Sequence, residues 1–438
     1  MNKIWAAFFL FVFASLCCAD ETADKNFIEA VKRNDVDQAK SCLNMGANPN
    51  AKDSVGNSAL VIAVNGGSEE MAAILIKSGA YASDSYMRGM SALMLAINKH
   101  MKATAVLLIE SGADLTAKLS NGANALIMAC ENNLEEIIKA IVEKKQADIN
   151  AKTAEGVTAL SAALKNGNIL IAKYLHQKGA EPSTLIEAAL LDDVNSAREL
   201  IKKGADTETR DAFGRTPLLI AYAGENYALA SFLLSKGANV NAKDFFGLTA
   251  ALIASMLNNG SLISLAIDYK ADVTVKDING ITPLMQAVFT DNADAADKIL
   301  NYNPSAANAI DNNFTSPLFI AVCRGNIPMI KKLIQNGAYL NDKNSRRALN
   351  AAIESGNLAA AGILIDKGAR INAKDFNGVT PIIIAASKND SKAVRFLVER
   401  GARLNTRDKS GLTPFDYASK YANEEIISIL NSAYEKAR

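Results

Sequence analysis

The chain has 438 residues, 49% hydrophobic and 21% charged, with 47 basic side chains against 46 acidic ones. That balance excludes a disordered polyelectrolyte and a strongly basic nucleic-acid binder. Two histidines in the whole chain leave little from which to build a metal site or an acid–base pair.

The first nineteen residues, MNKIWAAFFLFVFASLCCA, place Lys3 before an uncharged apolar run from Ile4 to Cys18, and an acidic start follows at Asp20. This is the pattern of a secretory signal peptide cleaved after Ala19. Sixteen residues separate Lys3 from Asp20, short of the roughly 20 that a spanning helix needs. Cys17 and Cys18 leave open a lipid-modified N-terminus, and with it a membrane-tethered chain. Removal of residues 1–19 takes Lys3 away and leaves 46 basic against 46 acidic residues, a formally neutral product. The expected setting is therefore exported, periplasmic or secreted, and the short Lys-bearing leader favours a bacterial periplasm. Cys42, Cys130 and Cys323 are odd in number and scattered, so they form no disulfide framework and read as small buried hydrophobes.

From residue 20 to 438 one unit repeats. Glycine followed by alanine recurs at Gly46, Gly79, Gly112, Gly179, Gly204, Gly237, Gly337, Gly368 and Gly401, mostly 33 or 34 residues apart, with Gln146, Lys270 and Pro304 standing in elsewhere. A second marker keeps the same phase, as in GNSAL from Gly56, GVTAL from Gly156, GRTPL from Gly214, GITPL from Gly280 and GLTPF from Gly411. Ser58, Ser91, Asn124, Thr158, Thr216, Thr249, Thr282, Thr380 and Thr413 stand where a short polar side chain caps a helix N-terminus. Pro217, Pro283, Pro317, Pro381 and Pro414 follow at the first helical position, where a missing N–H costs nothing. After about eight residues comes a break such as NGGS at 65–68 or RGN at 324–326, then a second apolar-periodic stretch closed by the glycine. Each unit thus reads as two short antiparallel helices and a protruding turn.

These units resemble the ankyrin repeat family, most closely in KDINGITPLMQAV and KGANVNAKD. The expected fold is an all-α solenoid of about thirteen stacked helix pairs with β-turn fingers, beginning near residues 24, 58, 91, 124, 158, 184, 216, 249, 282, 316, 348, 380 and 413. The histidine of the family pattern is replaced by Leu219, Met285, Phe319 and Ile383, so apolar packing has to carry more of the repeat. Between Gly179 and Gly204 the spacing shrinks to 25 residues, which predicts a missing finger near residue 182 and a weak joint at 180–205. NDKNSRRAL predicts a blunted finger near residue 344.

His100 and His176 lie more than two repeats apart, each finger supplies a single Asp, and no GxxxxGK[ST] loop occurs. The expectation is no enzyme, no cofactor, no metal, no nucleic acid and no small-molecule substrate. What the resemblance implies is a scaffold gripping a partner protein along fingers and first helices; the alternatives are a membrane-tethered or lipid-anchored structural protein and a regulator of one specific exported enzyme. The candidate partner-binding residues are the aromatics at or near the finger tips, Tyr86, Phe213, Phe245, Phe246, Phe314 and Phe376, because the helices already supply the core.

Overall fold

The structure is a computed structural model that describes residues 22–436 except 87, 88, 342 and 376, and except the side chains of 343–347. The leader and Phe376 lie outside the described residues. Within them are twenty-six α-helices, the number that thirteen pairs require, and no strand beyond the isolated bridges Lys52–Ser58, Ser85–Ser91 and Lys118–Asn124 at the bases of fingers. The chain divides into two compact units, Met1–Leu191 and Asp192–Arg438.

Most first helices of a repeat have seven residues and are apolar on nearly all sides. In Ala92–Asn98 all residues but the last are buried, and Pro217–Ala223 buries Pro217 through Tyr222. Within each unit such a helix is packed between its own second helix and the first helices of the neighbouring repeats, so no face is left for polar residues. An alanine sits at the same place in each, among them Ala96, Ala129, Ala221, Ala254, Ala287 and Ala321, all fully covered. There the neighbouring first helices approach closely, and a larger side chain at any one of them would overpack the seam by about 1–3 kcal/mol. Second helices, mostly of nine residues, bury a single stripe. Glu69–Lys77 covers Met71, Ala72, Leu75 and Ile76 and keeps Glu69, Glu70 and Lys77 in water.

The expected caps are in place, with a difference at one. Ser58, Ser91, Asn124, Thr158, Thr216, Thr249, Thr282 and Thr413 each accept the backbone N–H of the residue three places on, in the first turn of the first helix. Thr380 makes no such bond; its hydroxyl meets that of Thr406 at 3.1 Å. The five prolines start their helices. Asparagine does two further jobs. At second-helix starts it caps and reaches back one repeat, as Asn168 does by accepting from Ile171 N at 3.1 Å and donating to Asn133 Oδ1 at 2.8 Å. At the loop after the glycine it clamps the next repeat: Asn150 donates to Gly179 O at 3.0 Å and accepts from Glu181 N at 2.9 Å, and Asn308 treats Gly337 O and Tyr339 N the same way at 3.1 and 2.8 Å. Two such bonds contribute about 1–3 kcal/mol per clamp.

The irregular repeats take the form their sequences require. Residues 180–184 run straight into helix Leu185–Leu190, capped by Thr184, with no finger. Helix Lys343–Glu354 has twelve residues and occupies the stretch where the finger near 344 was expected. Where Pro304 replaces the glycine, a 3-10 helix at Pro304–Asn308 follows the helix Ala293–Tyr302.

Candidate protein-binding surface

Each finger of the second unit is a tight turn tied down by its aspartate. Asp244 Oδ1 accepts the N–H groups of Phe246 and Leu248, both at 2.8 Å, and Gly247 N donates to Asp244 O at 3.1 Å. Asp211, Asp277 and Asp311 repeat the pattern. These carboxylates are turned into their own loops, which leaves the tip side chains pointing out. Successive fingers are also bonded to each other. Phe245 N donates to Phe213 O, Ile278 N to Phe246 O and Asn312 N to Asn279 O, each at 3.1 Å. The four tips form one tied row.

That row carries the aromatics that the sequence singles out. Phe213, Phe245, Phe246 and Phe314 are 56, 69, 52 and 53% exposed. Ile278, which occupies in its finger the place that Phe245 has in the preceding one, is 60% exposed and joins them. Sequence reading passed over it because it is aliphatic; its register with Phe245 was the available signal. The rings are not wholly free. Phe245 lies against the preceding finger, where a Cβ built on Gly214 would come within 2.5 Å of its ring, and Arg215 stands 5.2 Å from the Phe213 ring centre. Tyr86 differs from the rest, being half-buried and packed against the core of the first unit.

Phe314 stands where the preceding fingers have glycine, and its backbone takes φ 59°. The other eleven non-glycine residues with positive φ among the described ones are polar or alanine. Holding a phenylalanine in the left-handed region costs about 1–2 kcal/mol, and its ring fills no part of the core. The basic residues of the row were also passed over: Arg210, Lys243 and Lys276 are exposed at equivalent positions just before the aspartates.

Groups that could support catalysis are dispersed. Among the described residues no three of His, Cys, Asp and Glu gather as metal ligands. His100 lies in the turn between two helices, and His176 Nδ1 is 2.9 Å from Ala180 O. Cys42 and Cys130 are buried, and burial pushes the Cys130 thiol up to about 12. Cys323 corrects the reading of a buried hydrophobe: it ends helix Pro317–Cys323 and is exposed. A groove of about 560 Å³ between helices Ser391–Glu399 and Glu424–Lys436 is lined by Val398, Ile429 and Ala433 and crossed by the Arg395–Glu425 ion pair at 3.3 Å. No described helix is long and apolar enough to cross a membrane.

Known proteins resemble parts of this chain. Over 76 residues, 17% of this chain, the sequence is 34% identical to a zebrafish (Danio rerio) protein described as a putative palmitoyltransferase ZDHHC13, of whose length the match spans 12%. The crystal structure of the human ASB11 ankyrin repeat domain matches half of this chain and 98% of its own at 21% identity, with a TM-score of 0.42. A family model for ankyrin repeats in three copies matches residues 27–119, 107–185, 284–375 and 349–437, and a single-repeat model matches 213–245. With well over half of its length matched in this way, the chain belongs to the ankyrin repeat family.

Proposed function

We propose that the chain is a non-enzymatic scaffold that holds a partner protein on the finger row of its second unit, through Phe213, Phe246, Ile278 and Phe314 with Phe245 beside them. The observation that carries this reading is Phe314, an exposed ring kept in a backbone conformation that opposes it. Strain of this kind persists where function uses it. The family supports the general role, since ankyrin repeats are protein-interaction modules.

An exported setting belongs to the same proposal and is supported by the Lys3-to-Ala19 pattern alone. Trp5 is the single tryptophan, so mature protein free of tryptophan fluorescence would agree with cleavage, and a retained or lipidated N-terminus would show in the intact mass.

The test replaces Phe314 with Gly and Phe246 with Ser in the full chain. Phe314→Gly removes the strain and should hold or raise the melting temperature, while proteins that co-purify with the wild type from its own cells should be lost from the double variant. Recovery of the same partners by both proteins would overturn the reading.

A further inference from the structure

The first finger of the row, at 211–214, is followed by a cation of its own. Arg215 does two things at once: its guanidinium pairs with Asp211 Oδ2 at 2.7 Å and stands 5.2 Å from the centre of the Phe213 ring. Asp211 Oδ1 meanwhile accepts the N–H groups of Phe213 and Arg215, both at 2.9 Å. A ring face and a carboxylate edge each attract a guanidinium, and its flat head can stack on one while bonding the other.

The second finger, at 244–247, repeats this backbone and lacks the arginine. Asp244 Oδ1 accepts from Phe246 N and Leu248 N, so Phe246 is in register with Phe213 and Leu248 with Arg215. Among the described residues Asp244 Oδ2 has no hydrogen-bond or ion-pair partner, and the Phe246 ring, 52% exposed, has no cation over it. Ile281 and Thr315 hold the same place in the third and fourth fingers, which leaves Asp277 and Asp311 without an arginine as well. The nearby cations are occupied elsewhere: Arg210 donates to Gly214 O and Lys243 O, and Lys243 donates to Lys276 O. Over 206–215, 239–248, 272–281 and 305–315 the row holds seven carboxylates against four cations.

Resting on the proposed scaffold role, we infer that the partner contributes a basic segment whose arginine binds at Asp244 and Phe246 as Arg215 binds at Asp211 and Phe213. Its guanidinium pairs with Asp244 Oδ2 and its flat face covers the Phe246 ring. Apolar residues beside that arginine meet Phe245 and Ile278, 69 and 60% exposed. The carboxylate excess draws a basic segment to the row and repels an acidic segment or a nucleic acid. Lysine is the poorer occupant, because a compact ammonium cannot stack and form a forked bond together.

The experiment selects a displayed library of random peptides, about twelve residues long, on the full chain. Enriched peptides are then measured against wild type, Leu248→Arg, Leu248→Gln and Asp244→Asn. Leu248→Arg gives the second finger the arginine of the first, in competition with the peptide's, and Leu248→Gln controls for bulk and polarity. Asp244→Asn keeps the Oδ1 acceptor of the turn and removes the charge. Enriched peptides should carry arginine beside apolar residues and weaken as salt rises. They should lose about tenfold in affinity on Leu248→Arg and on Asp244→Asn, but not on Leu248→Gln. Replacing the peptide's arginine with citrulline, its neutral isostere, should cost as much on wild-type protein, a readout that no misfolded variant can imitate. Peptides without a basic residue, indifference to citrulline, or equal losses on Leu248→Arg and Leu248→Gln would overturn the inference and leave the scaffold reading standing. Failure of any peptide to enrich would overturn it as well. Failure of the scaffold reading itself would appear separately, as unchanged partners in the Phe314→Gly/Phe246→Ser comparison.

Discussion

The contact between Phe245 and Gly214 can be measured by a double-mutant cycle. Phe245 is 69% exposed, so roughly a third of a ring that would bury about 200 Å² is covered, which corresponds to about 1.5 kcal/mol at 25 cal/mol per Å². Phe245→Ala should cost about that. Gly214 has φ +76°, and a methyl there would lie 2.5 Å from Phe245 Cδ1 and 2.7 Å from Cε1. Gly214→Ala therefore combines a left-handed backbone penalty of about 1.5 kcal/mol with displacement of the ring, about 1.5 kcal/mol more. The three atoms nearest to that methyl all belong to the Phe245 ring, so removal of the ring relieves the close contact. The double variant should cost about 3 kcal/mol, not the 4.5 or so of the sum, a coupling of about 1.5 kcal/mol. Gly156→Ala calibrates the backbone term, since Gly156 has φ +82° and nothing within 4 Å of its built Cβ. Denaturant unfolding of the four proteins reads the cycle. Additivity within about 0.5 kcal/mol would refute the packing of ring on glycine.

Two further outcomes follow from buried and titrating groups. Tyr222 is fully buried, its hydroxyl has no partner among the described residues, and burial raises its pKa; Tyr222→Phe should stabilise the protein by about 1 kcal/mol in denaturant unfolding, and a loss would mean that the hydroxyl is satisfied in solution. At the C-terminal repeat, the Tyr417 hydroxyl and backbone N–H groups hold Asp408 below the usual carboxylate range, and the Thr413 hydroxyl and N–H do the same for Asp416. Depressed folded pKa values give stability that is present above about pH 4 and lost as pH falls through them. Amide protection factors in 408–420, referred to the intrinsic exchange rate at each pH, should fall below that pH, and Tyr417→Phe should move the acid limb of Asp408 upward; an unmoved limb would refute the assignment.

The repeat was legible because two markers share one phase and each has a local cause: a cap such as Thr216, a proline such as Pro217, a glycine with positive φ such as Gly247. Local chemistry of that kind is written in adjacent residues. The asparagine clamps were not legible, since Asn150 and Glu181 are 31 residues apart and only the stacked geometry brings them together. At the surface, Phe213, Phe245, Phe246 and Phe314 were visible as apolar residues in turn positions, and all four are exposed. Tyr86 read the same way, yet lies against the core, because tip and base of a finger differ by one or two residues and pattern alone does not separate them. The strain at Phe314 was hidden behind its missing glycine, and Cys323 looked buried because its helix-mates are.

The bonds that tie the finger row have a direction. Along the run 211–214, 244–247, 277–280 and 311–314 each bond passes from an N–H of the higher-numbered tip to a carbonyl of the tip before it, and the two middle tips make both. Any one tip is therefore interchangeable with the next as a link. Excision of the stretch from Asp244 to the residue before Asp277 would set the carbonyl of Phe213 before the N–H of Ile278, the partner that Phe245 now supplies. Loss of a fraction of that stretch would leave both groups without a counterpart. Gene duplication and unequal recombination can lengthen or shorten this array in whole repeats, and the hydrogen bonding itself acts as the proofreader that rejects partial ones.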